Sequence, residues 1–337
     1  MYKQHKVWSP GASLNPVSSS HVAAVYNQAG DDYVTYADGD PKRLFCFEGF
    51  HAYADRQLWS LLRRQICNLE ATGAHSINVL DAGCGPGSWL RRVVSHAHRH
   101  GFSQIIARGF DVALVQVQTA QRLARDLAAL PGVNLTFEVA DLLDGLPETY
   151  GSVDITLCLY SVLSHLPVSD LPRVVSEFAR VTRGHCITTV RSIGSAPTVF
   201  VNSVEEARHF KLDHGRDRCE VEFCDGRRVA VSFHLFTVSE LRELFRADFV
   251  IEGLCGLDIF HNRFVPDRRW NPVSALGDQR LMLQLTQLEE MFATDPSFME
   301  RATHLLLVGR CRSSEKMRAP LETKSEFAPP IWPLSAY

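Results

Sequence analysis

Three glycines and an aspartate stand together in the segment Val79-Leu-Asp-Ala-Gly-Cys-Gly-Pro-Gly87. An apolar run precedes this segment, and a sequence with helical spacing follows it. Because glycine has no Cβ, the backbone at Gly83, Gly85 and Gly87 can pass close to a ligand. The start of the next helix offers backbone amides that have no partner within the helix. The pattern predicts a ligand-binding turn that is flanked by the carboxylate of Asp81.

This turn resembles the first motif of class I S-adenosylmethionine (SAM)-dependent methyltransferases, in which an acid at the end of the first strand stands two residues before a Gly-x-Gly-x-Gly loop. A dinucleotide site would instead have Gly-x-Gly-x-x-Gly, and Asp81 would repel its pyrophosphate. A phosphate-binding loop would need Gly-Lys-Ser/Thr, which is absent. The resemblance covers about residues 25–311. It implies that SAM is the cofactor and that five residues of the turn bind it, namely Asp81, Gly83, Cys84, Gly85 and Gly87.

Two further aspartates follow at intervals of 30 residues, each at the predicted end of a strand. Asp111 can accept hydrogen bonds from both hydroxyls of a ribose, as the acid of dinucleotide sites does. The resemblance implies that Asp141 accepts from the adenine amino group, that the Leu142 amide meets a ring nitrogen, and that Val112 belongs to the cofactor site. One β–α unit separates successive aspartates, so we expect all three carboxylates at the carboxyl edge of a parallel sheet.

The fourth predicted strand ends near Tyr160, with His165 five residues later. In the resembled family this edge borders the reactive methyl group. We expect Tyr160 to contact the cofactor and to face its sulfonium, since a positive charge is attracted to an aromatic face. We treat His165 as a candidate general base, with helix capping as the alternative role. The Asp/Asn-Pro-Pro-aromatic motif of DNA-modifying members and the paired-glutamate loop of arginine-modifying members are missing, which favours a small-molecule acceptor.

The stretch from Tyr33 to Trp59 mixes aromatic and polar side chains, and we expect it to form a lid over the donor. Packing or exposure to solvent is the alternative for each residue taken alone. Its candidates are Tyr33 for the cofactor, Tyr36 and His51 for catalysis, and Tyr53 and Arg56 for the substrate.

Later strand ends supply four more substrate candidates. The segment 258–264 follows a predicted sheet strand and should therefore reach the active-site edge. We expect one of its residues, or His234, to contact substrate. The four candidates are Arg191, His234, His261 and Arg263.

No metal is predicted. His96 and His100 share a helix face, but no neighbouring thiol or carboxylate completes a ligand set in the sequence, so we interpret His96, His98 and His100 as a solvated face. The nine cysteines include no C-x-x-C pair, and we expect reduced thiols in a cytoplasmic protein.

The composition indicates a globular protein with a substantial core. Of the 337 residues, 45% are apolar and 22% are charged, and the length allows one elaborated domain or two small ones. A net charge of −3 does not indicate a nucleic-acid partner, and no apolar stretch approaches the roughly 20 residues of a membrane helix. We therefore expect a small-molecule substrate and neither a nucleic-acid nor a membrane partner, while a homodimer stays open.

The elements that position these residues alternate from residue 76 onward. Strands separated by helices predict an α/β fold with a doubly wound, mostly parallel seven-stranded sheet. Residues 192–218 are expected to be irregular, and a hairpin with a turn at Asp225-Gly226 should follow them. The predicted organisation is an irregular arm (1–22), an N-terminal helical cap (23–75), a SAM-binding domain (76–311) with insertions at 192–235 and 258–300 near the substrate, and a C-terminal tail (312–337).

Three functions are compatible with these features. The first is methyl transfer from SAM to a small molecule in secondary metabolism. The second is intramolecular cyclisation, in which the α-amine of SAM attacks its own γ-carbon to give azetidine-2-carboxylate and methylthioadenosine; azetidine-2-carboxylate synthases share the resembled fold. The third is SAM binding without catalysis, which the presence of all three aspartates and all the glycines disfavours.

Overall fold

The computed structural model describes residues 19–38, 40–47, 51–195, 207–226, 228–261 and 279–312. Seven strands form the central sheet, in the order β3-β2-β1-β4-β5-β10-β9. The first five are mutually parallel, and β10 is antiparallel to both of its neighbours. The predicted doubly wound, mostly parallel seven-stranded sheet is confirmed. Its strands are β1 Ser76–Ala82, β2 Gln104–Asp111, β3 Val133–Val139, β4 Val153–Cys158, β5 Thr182–Arg191, β9 Phe249–Leu257 and β10 His304–Cys311.

Two apolar cores lie on opposite faces of this sheet. Successive residues of a strand point to opposite faces, and Val79 joins one core while Leu80 joins the other. Both side chains are buried, and full burial of such a side chain contributes about 1.5–3 kcal/mol. Because both faces are covered, the strands are apolar along most of their length, as is typical of parallel sheets.

Eight α-helices occur in the part of the chain that the structure describes. The helix α6 begins with a capping box, in which Thr237 and Glu240 bond each other's backbone amides. The helices are α1 Ser19–Asp38, α2 Ala52–Ala71, α3 Ser88–Arg99, α4 Leu114–Ala128, α5 Leu171–Val181, α6 Val238–Arg246, α7 Gln279–Phe292 and α8 Pro296–Met299. None of them is both long enough and apolar enough to cross a membrane.

The N-terminal segment differs from the prediction. The helix α1 starts at Ser19, inside the predicted irregular arm of residues 1–22, and continues to Asp38. The polar sequence Gly30-Asp-Asp32 favours a turn, but α1 passes it with a kink at Gly30, where φ is 50°. Packing explains the difference, because Val22 and Val34 are 6% and 5% exposed, and Gln116 of α4 donates to the Gly30 carbonyl. Tertiary contacts therefore override the local turn signal.

A second, antiparallel sheet contains β6 Ala207–Asp213, β7 Arg218–Phe223 and β8 Arg228–Ser232. The β7–β8 hairpin follows the prediction, and Gly226 adopts a φ of 90° in its turn. The strand β6 corrects the expectation that residues 192–218 are irregular. Its polar sequence carries little strand signal, and its pairing with β7 provides the backbone hydrogen bonds that define it.

Candidate active site

The carboxyl ends of three parallel strands bring the three aspartates to one edge of the sheet. Asp81 lies near the end of β1, Asp111 ends β2, and Asp141 follows β3. The Asp111 carboxylate accepts from the Gly85 amide through Oδ2 and from the Ala113 amide through Oδ1, both at 2.9 Å. Asp111 therefore connects the glycine turn after β1 to the end of β2.

The glycine turn has a conformation that side chains would disrupt. Gly83 has a φ of 73°, and a Cβ at this position would lie 2.3 Å from a methyl group of Val162. Gly87 has a φ of 75° and stands before the first residue of α3, where a Cβ would lie 2.7 Å from the Phe137 ring. Gly83 thus keeps the turn close to the end of β4, whereas Gly87 permits packing of the α3 start against β3.

Asp81 is the electrostatically unusual member of the set. Its side chain is 2% exposed, and its Oδ2 atom has no hydrogen-bond partner among the described residues. Burial and, to a lesser extent, the nearby Asp111 raise the pKa of Asp81 to about 7. A buried carboxylate oxygen without a donor is unfavourable, so a ligand cation beside Asp81 would be stabilised.

Two adjoining cavities of about 860 and 690 Å³ open at this edge. The larger is lined by Asp81 and the glycine turn, and the smaller by Asp111 and Asp141. They meet where Tyr160, Tyr33 and Gly83 line both. The predicted site residues that line one or both cavities are Tyr33, His51, Asp81, Gly83, Cys84, Gly85, Asp111, Val112, Asp141, Leu142, Tyr160, His165 and Arg191.

Tyr160 is held in a strained turn at the junction of the cavities. Tyr160 and Ser161 have φ values of 53° and 74°, which bulky residues rarely adopt and which are frequent at functional sites. The Tyr160 amide donates to the Thr189 hydroxyl of β5 at 2.6 Å, and its phenol donates to the Asp55 carboxylate of α2. Burial and the charge of Asp55 raise the pKa of Tyr160 well above its usual range. The phenol therefore stays protonated as a donor.

Aromatic rings surround the Tyr160 ring. His51 stacks on it at 5.4 Å between ring centroids, and Trp89 lies on a nearly parallel plane at 6.2 Å. The His304 ring meets it edge-on at 5.3 Å. These four rings, the aromatic wall of the site, present π electrons to the cavity, and such a surface attracts a cation.

A buried polar group lies beside this wall. The His51 Nδ1 donates to the Asp258 Oδ2 at 3.2 Å, and His304 lies 4.8 Å from His51 between ring centroids. Burial lowers the pKa of both histidines, and at His51 it outweighs the opposing effect of Asp258. One ligand atom from each of the three residues lies within 4.8 Å of the other two, a donor set that a divalent metal can use. The absence of a metal stays a prediction.

His165 is neutral and already bonded at both nitrogens. Its Nδ1 donates to the Ser232 carbonyl at 2.9 Å, so its Nε2 accepts from the Tyr26 hydroxyl at 3.0 Å. Burial lowers the pKa of His165 to about 4. His165 caps no helix through its side chain, and it can reach a ligand proton only through Tyr26.

Several candidates lie away from both cavities. Tyr53 of the cap stacks on His261 at 4.5 Å, and both pack beside α7, where Glu289 accepts from the His261 amide. His234 bonds Asp217 and Glu240, at 2.8 and 2.7 Å, on the side of the small sheet. Arg56 is exposed on α2. None of these four residues lines either cavity, and their contact with substrate stays a prediction. The side chain of Tyr36 and all of Arg263 lie outside the described residues.

Sequence inspection missed several cavity residues, among them Tyr26, Asp55, Trp89 and His304. Tyr26 lies in the helix α1, Asp55 is a buried carboxylate in the first turn of α2, and Trp89 is the second residue of α3. His304 is the first residue of β10, and an antiparallel strand starts at the edge where its parallel neighbours end. The position of His304 could therefore have been inferred from the predicted topology, whereas the contacts of Tyr26 and Asp55 depend on how the cap packs.

Curated relatives match only part of the chain. Endoplasmic reticulum metallopeptidase 1 of Mus musculus is 26% identical over 195 residues, which cover 50% of this chain and 20% of that protein. The Homo sapiens protein of the same name is 25% identical over 194 residues with the same coverage. The chain thus spans about a fifth of the length of the curated relatives it matches.

Solved structures with a similar arrangement are distant in sequence. Magnesium protoporphyrin IX methyltransferase of Synechocystis PCC 6803, with bound SAM, is 16% identical over 89% of this chain and 99% of that one, with a TM-score of 0.48. Geranyl diphosphate C-methyltransferase of Streptomyces coelicolor A3(2) is 14% identical over 88% and 100%, with a TM-score of 0.46. A SAM-dependent methyltransferase of Mesorhizobium loti is 20% identical over 70% and 91%, with a TM-score of 0.39.

The sequence comparison with protein families matches the part of the chain that contains the aspartate edge. The matched segment runs from within β1 into β5 and includes the glycine turn, Asp111, Asp141 and Tyr160. Residues 79–185, about a third of the chain, match a family described as a methyltransferase domain.

Proposed function

We propose that this protein binds SAM across the two cavities and transfers its methyl group to a small-molecule acceptor. The observation that carries the proposal is the meeting of the aspartate-lined cavity with the glycine-turn cavity at Tyr160. A nucleoside would occupy the first cavity and an amino-acid tail the second. The sulfonium that joins them would then lie beside the aromatic wall.

Three carboxylates would divide the recognition of SAM. Asp141 and the Leu142 amide would bind adenine, and Asp111 would bind the ribose hydroxyls. Each Asp111 oxygen already accepts one backbone amide, and a carboxylate oxygen has capacity for a second donor. The unpartnered Oδ2 of Asp81 would accept from the α-ammonium of the methionine part.

Methyl transfer is an in-line displacement, and alignment of donor and acceptor is the main contribution of the protein. The acceptor atom forms a bond to the methyl carbon while the bond from that carbon to sulfur breaks, which leaves the neutral thioether S-adenosylhomocysteine. An acceptor that loses a proton needs a base. His51 is the candidate, since Asp258 orients its ring through Nδ1 and burial keeps it neutral.

The acceptor would approach from the side of His51, His304 and Arg191, which line the larger cavity. The sequence lacks the motifs of DNA-modifying and arginine-modifying members of the resembled family, and we place the reaction in secondary metabolism as a working hypothesis. The atom that receives the methyl group, whether O, N or C, is the question for the acceptor search.

A second candidate is cyclisation of SAM itself, and the state of Asp81 favours it. The α-amine must lose a proton before it attacks the γ-carbon, and a carboxyl group with a pKa of about 7 can receive that proton near neutral pH. In this reaction the bond between nitrogen and Cγ forms and the bond between sulfur and Cγ breaks. Methylthioadenosine leaves, and azetidine-2-carboxylate is the other product.

Incubation of the purified full chain with SAM alone, followed by mass spectrometry, separates the two candidates. Intact SAM would support methyl transfer to an absent acceptor, and addition of metabolite fractions should then produce S-adenosylhomocysteine together with a product heavier by one methyl group. Methylthioadenosine with a cyclic amino acid would overturn the methyl-transfer proposal. No SAM binding in calorimetry would overturn both.

A further inference from the structure

A group of side chains of the types that bind metals lies between the C-terminal ends of α2 and α3. One ligand atom each from Cys67 of α2 and from His96 and His100 of α3 lies within 4.8 Å of the other two. The sequence alone predicts a solvated face for these histidines, because no thiol or carboxylate stands near them along the chain. The packing of α2 on α3 supplies both, as Cys67 and Glu70.

The spacing within each helix explains why these groups converge. Residues three or four apart lie on the same face of a helix. Cys67 and Glu70 are three apart on α2, and His96 and His100 are four apart on α3. The two histidine rings lie 4.2 Å apart between centroids, so the α3 pair is already close together.

Each of the two imidazoles has a ring nitrogen that can bind a metal. The His100 Nδ1 donates to the Glu70 carboxylate at 2.9 Å, which orients the ring and leaves Nε2 for a metal. A carboxylate in this role is the usual partner of a metal-bound histidine. The Nε2 of His96 is buried and has no hydrogen-bond partner among the described residues. A bound cation would satisfy that nitrogen.

Nearby acidic groups offset the positive charge that surrounds the histidines. Arg63 and Arg99 bring positive charge near His96, and Glu70 opposes them. Binding of a metal requires the thiolate form of Cys67, which adds a second negative charge. A ligand set of one thiolate and two imidazoles binds zinc in preference to magnesium or calcium, which favour oxygen ligands.

We propose that Cys67, His96 and His100 bind one Zn²⁺, with Glu70 orienting His100 and water completing a tetrahedral shell. Zinc lies about 2.0–2.3 Å from such ligands, so the three side chains would move together by about 1 Å from their present separations. The site would join the end of the cap helix α2 to α3, the helix that begins at the glycine turn. It lies about 18 Å along α2 from Asp55, so it would be separate from the candidate active site.

The test uses the purified full chain without metal, titrated with Zn²⁺ and separately with Co²⁺ as a spectroscopic probe. We expect one Zn²⁺ per chain, a rise in the thermal midpoint, and a thiolate-to-cobalt charge-transfer band with Co²⁺. The variants Cys67→Ser and His96→Ala should abolish stoichiometric binding. Cys67→Ser should also abolish the charge-transfer band. The matched controls are Cys224→Ser, an exposed thiol on the small sheet, and His98→Ala, which is on α3 but outside the group.

Two further variants sharpen the result. Glu70→Gln should weaken Zn²⁺ binding by about 10–100-fold, the usual effect of removing an orienting carboxylate. His304→Ala removes the other three-residue group, at His51, Asp258 and His304, and should leave the cobalt band unchanged. The proposal is overturned if no stoichiometric binding occurs, or if stoichiometric binding survives Cys67→Ser; loss of that surviving binding with His304→Ala would assign the ion to the other group. Circular dichroism of each variant verifies that it is folded, and SAM binding has no part in this test.

Discussion

The phenol of Tyr160 donates a hydrogen bond to the carboxylate of Asp55, a residue 105 positions earlier in the chain. This bond joins the end of β4 to the first turn of the cap helix α2. It fixes the ring that separates the two cavities, while the Thr189 hydroxyl of β5 holds the Tyr160 amide. The position of the candidate sulfonium contact is therefore set by the central sheet and the cap together.

Removal of this hydroxyl should affect stability more than SAM affinity. Tyr160→Phe keeps the aromatic face and removes the hydroxyl that donates to the buried Asp55, so we expect a loss of about 1–3 kcal/mol in the free energy of unfolding. SAM affinity in calorimetry should stay within a few-fold. Tyr160→Ala removes the ring and should weaken SAM binding further. The control is Tyr150→Phe, at an exposed tyrosine; equal losses in Tyr160→Phe and Tyr150→Phe would contradict the role of the Asp55 bond.

Asp111→Ala should weaken SAM binding by about 100-fold, because the ribose loses an acceptor for both hydroxyls and hydrogen bonds to a charged group contribute about 1.5–3 kcal/mol. The Gly85 and Ala113 amides would lose their partner as well. Calorimetry with SAM measures the change. Asp144→Ala is the matched control, since Asp144 is exposed beside the site and lines neither cavity. Unchanged affinity in Asp111→Ala would remove SAM as the proposed cofactor.

Gly83→Ala should disrupt the turn that approaches β4. The new Cβ would lie 2.3 Å from the Val162 methyl group, and overpacking of this kind costs about 1–3 kcal/mol in addition to the strain of a positive φ. Thermal unfolding and SAM calorimetry should both show a loss. Gly73 has a similar φ of 81° but open space around an added Cβ, so Gly73→Ala should lower the free energy of unfolding by less. Partial recovery of thermal stability in the double variant Gly83→Ala, Val162→Ala would identify the clash with the Val162 methyl group as the cause.

The raised pKa of Asp81 predicts a specific pH dependence of stability without SAM. A carboxyl group whose folded pKa is about 7 binds more protons in the folded than in the unfolded state between about pH 4 and 7. Its contribution is therefore fully present below pH 4 and is lost as the pH rises through 7, at about 1.4 kcal/mol per pH unit at most. Asp81→Asn should remove this slope, as measured by urea unfolding at several pH values.

The comparison between variants is needed because other groups titrate in the same interval. Burial also raises the pKa of Glu289 to about 7, which adds a slope of the same sign. Burial lowers the pKa of His165 to about 4, which gives the opposite slope, since its stabilising neutral form is lost as the pH falls. Glu289→Gln is the control, because it removes the slope due to Glu289 and keeps the slope due to Asp81. Parallel curves for the original chain and Asp81→Asn would contradict the burial of a carboxyl group at this site.

The sequence by itself determined the sheet and the edge at which the candidate site lies. Apolar runs that alternate with helical spacing specify a parallel sheet, because only that arrangement buries both faces of each strand. An aspartate at each strand end then has to reach the carboxyl edge. The positions of Asp81, Asp111 and Asp141 followed from this local pattern.

The tertiary structure decided which cap residues reach the cavities. His51 and Asp55 face Tyr160, whereas Tyr53 turns to His261, although all three cap residues lie within five positions of one another. The same holds for the thiol of Cys67, which meets His96 and His100 only after two helices pack. Contacts between segments distant in the chain depend on the path of the backbone and on burial, and no local spacing encodes either of them.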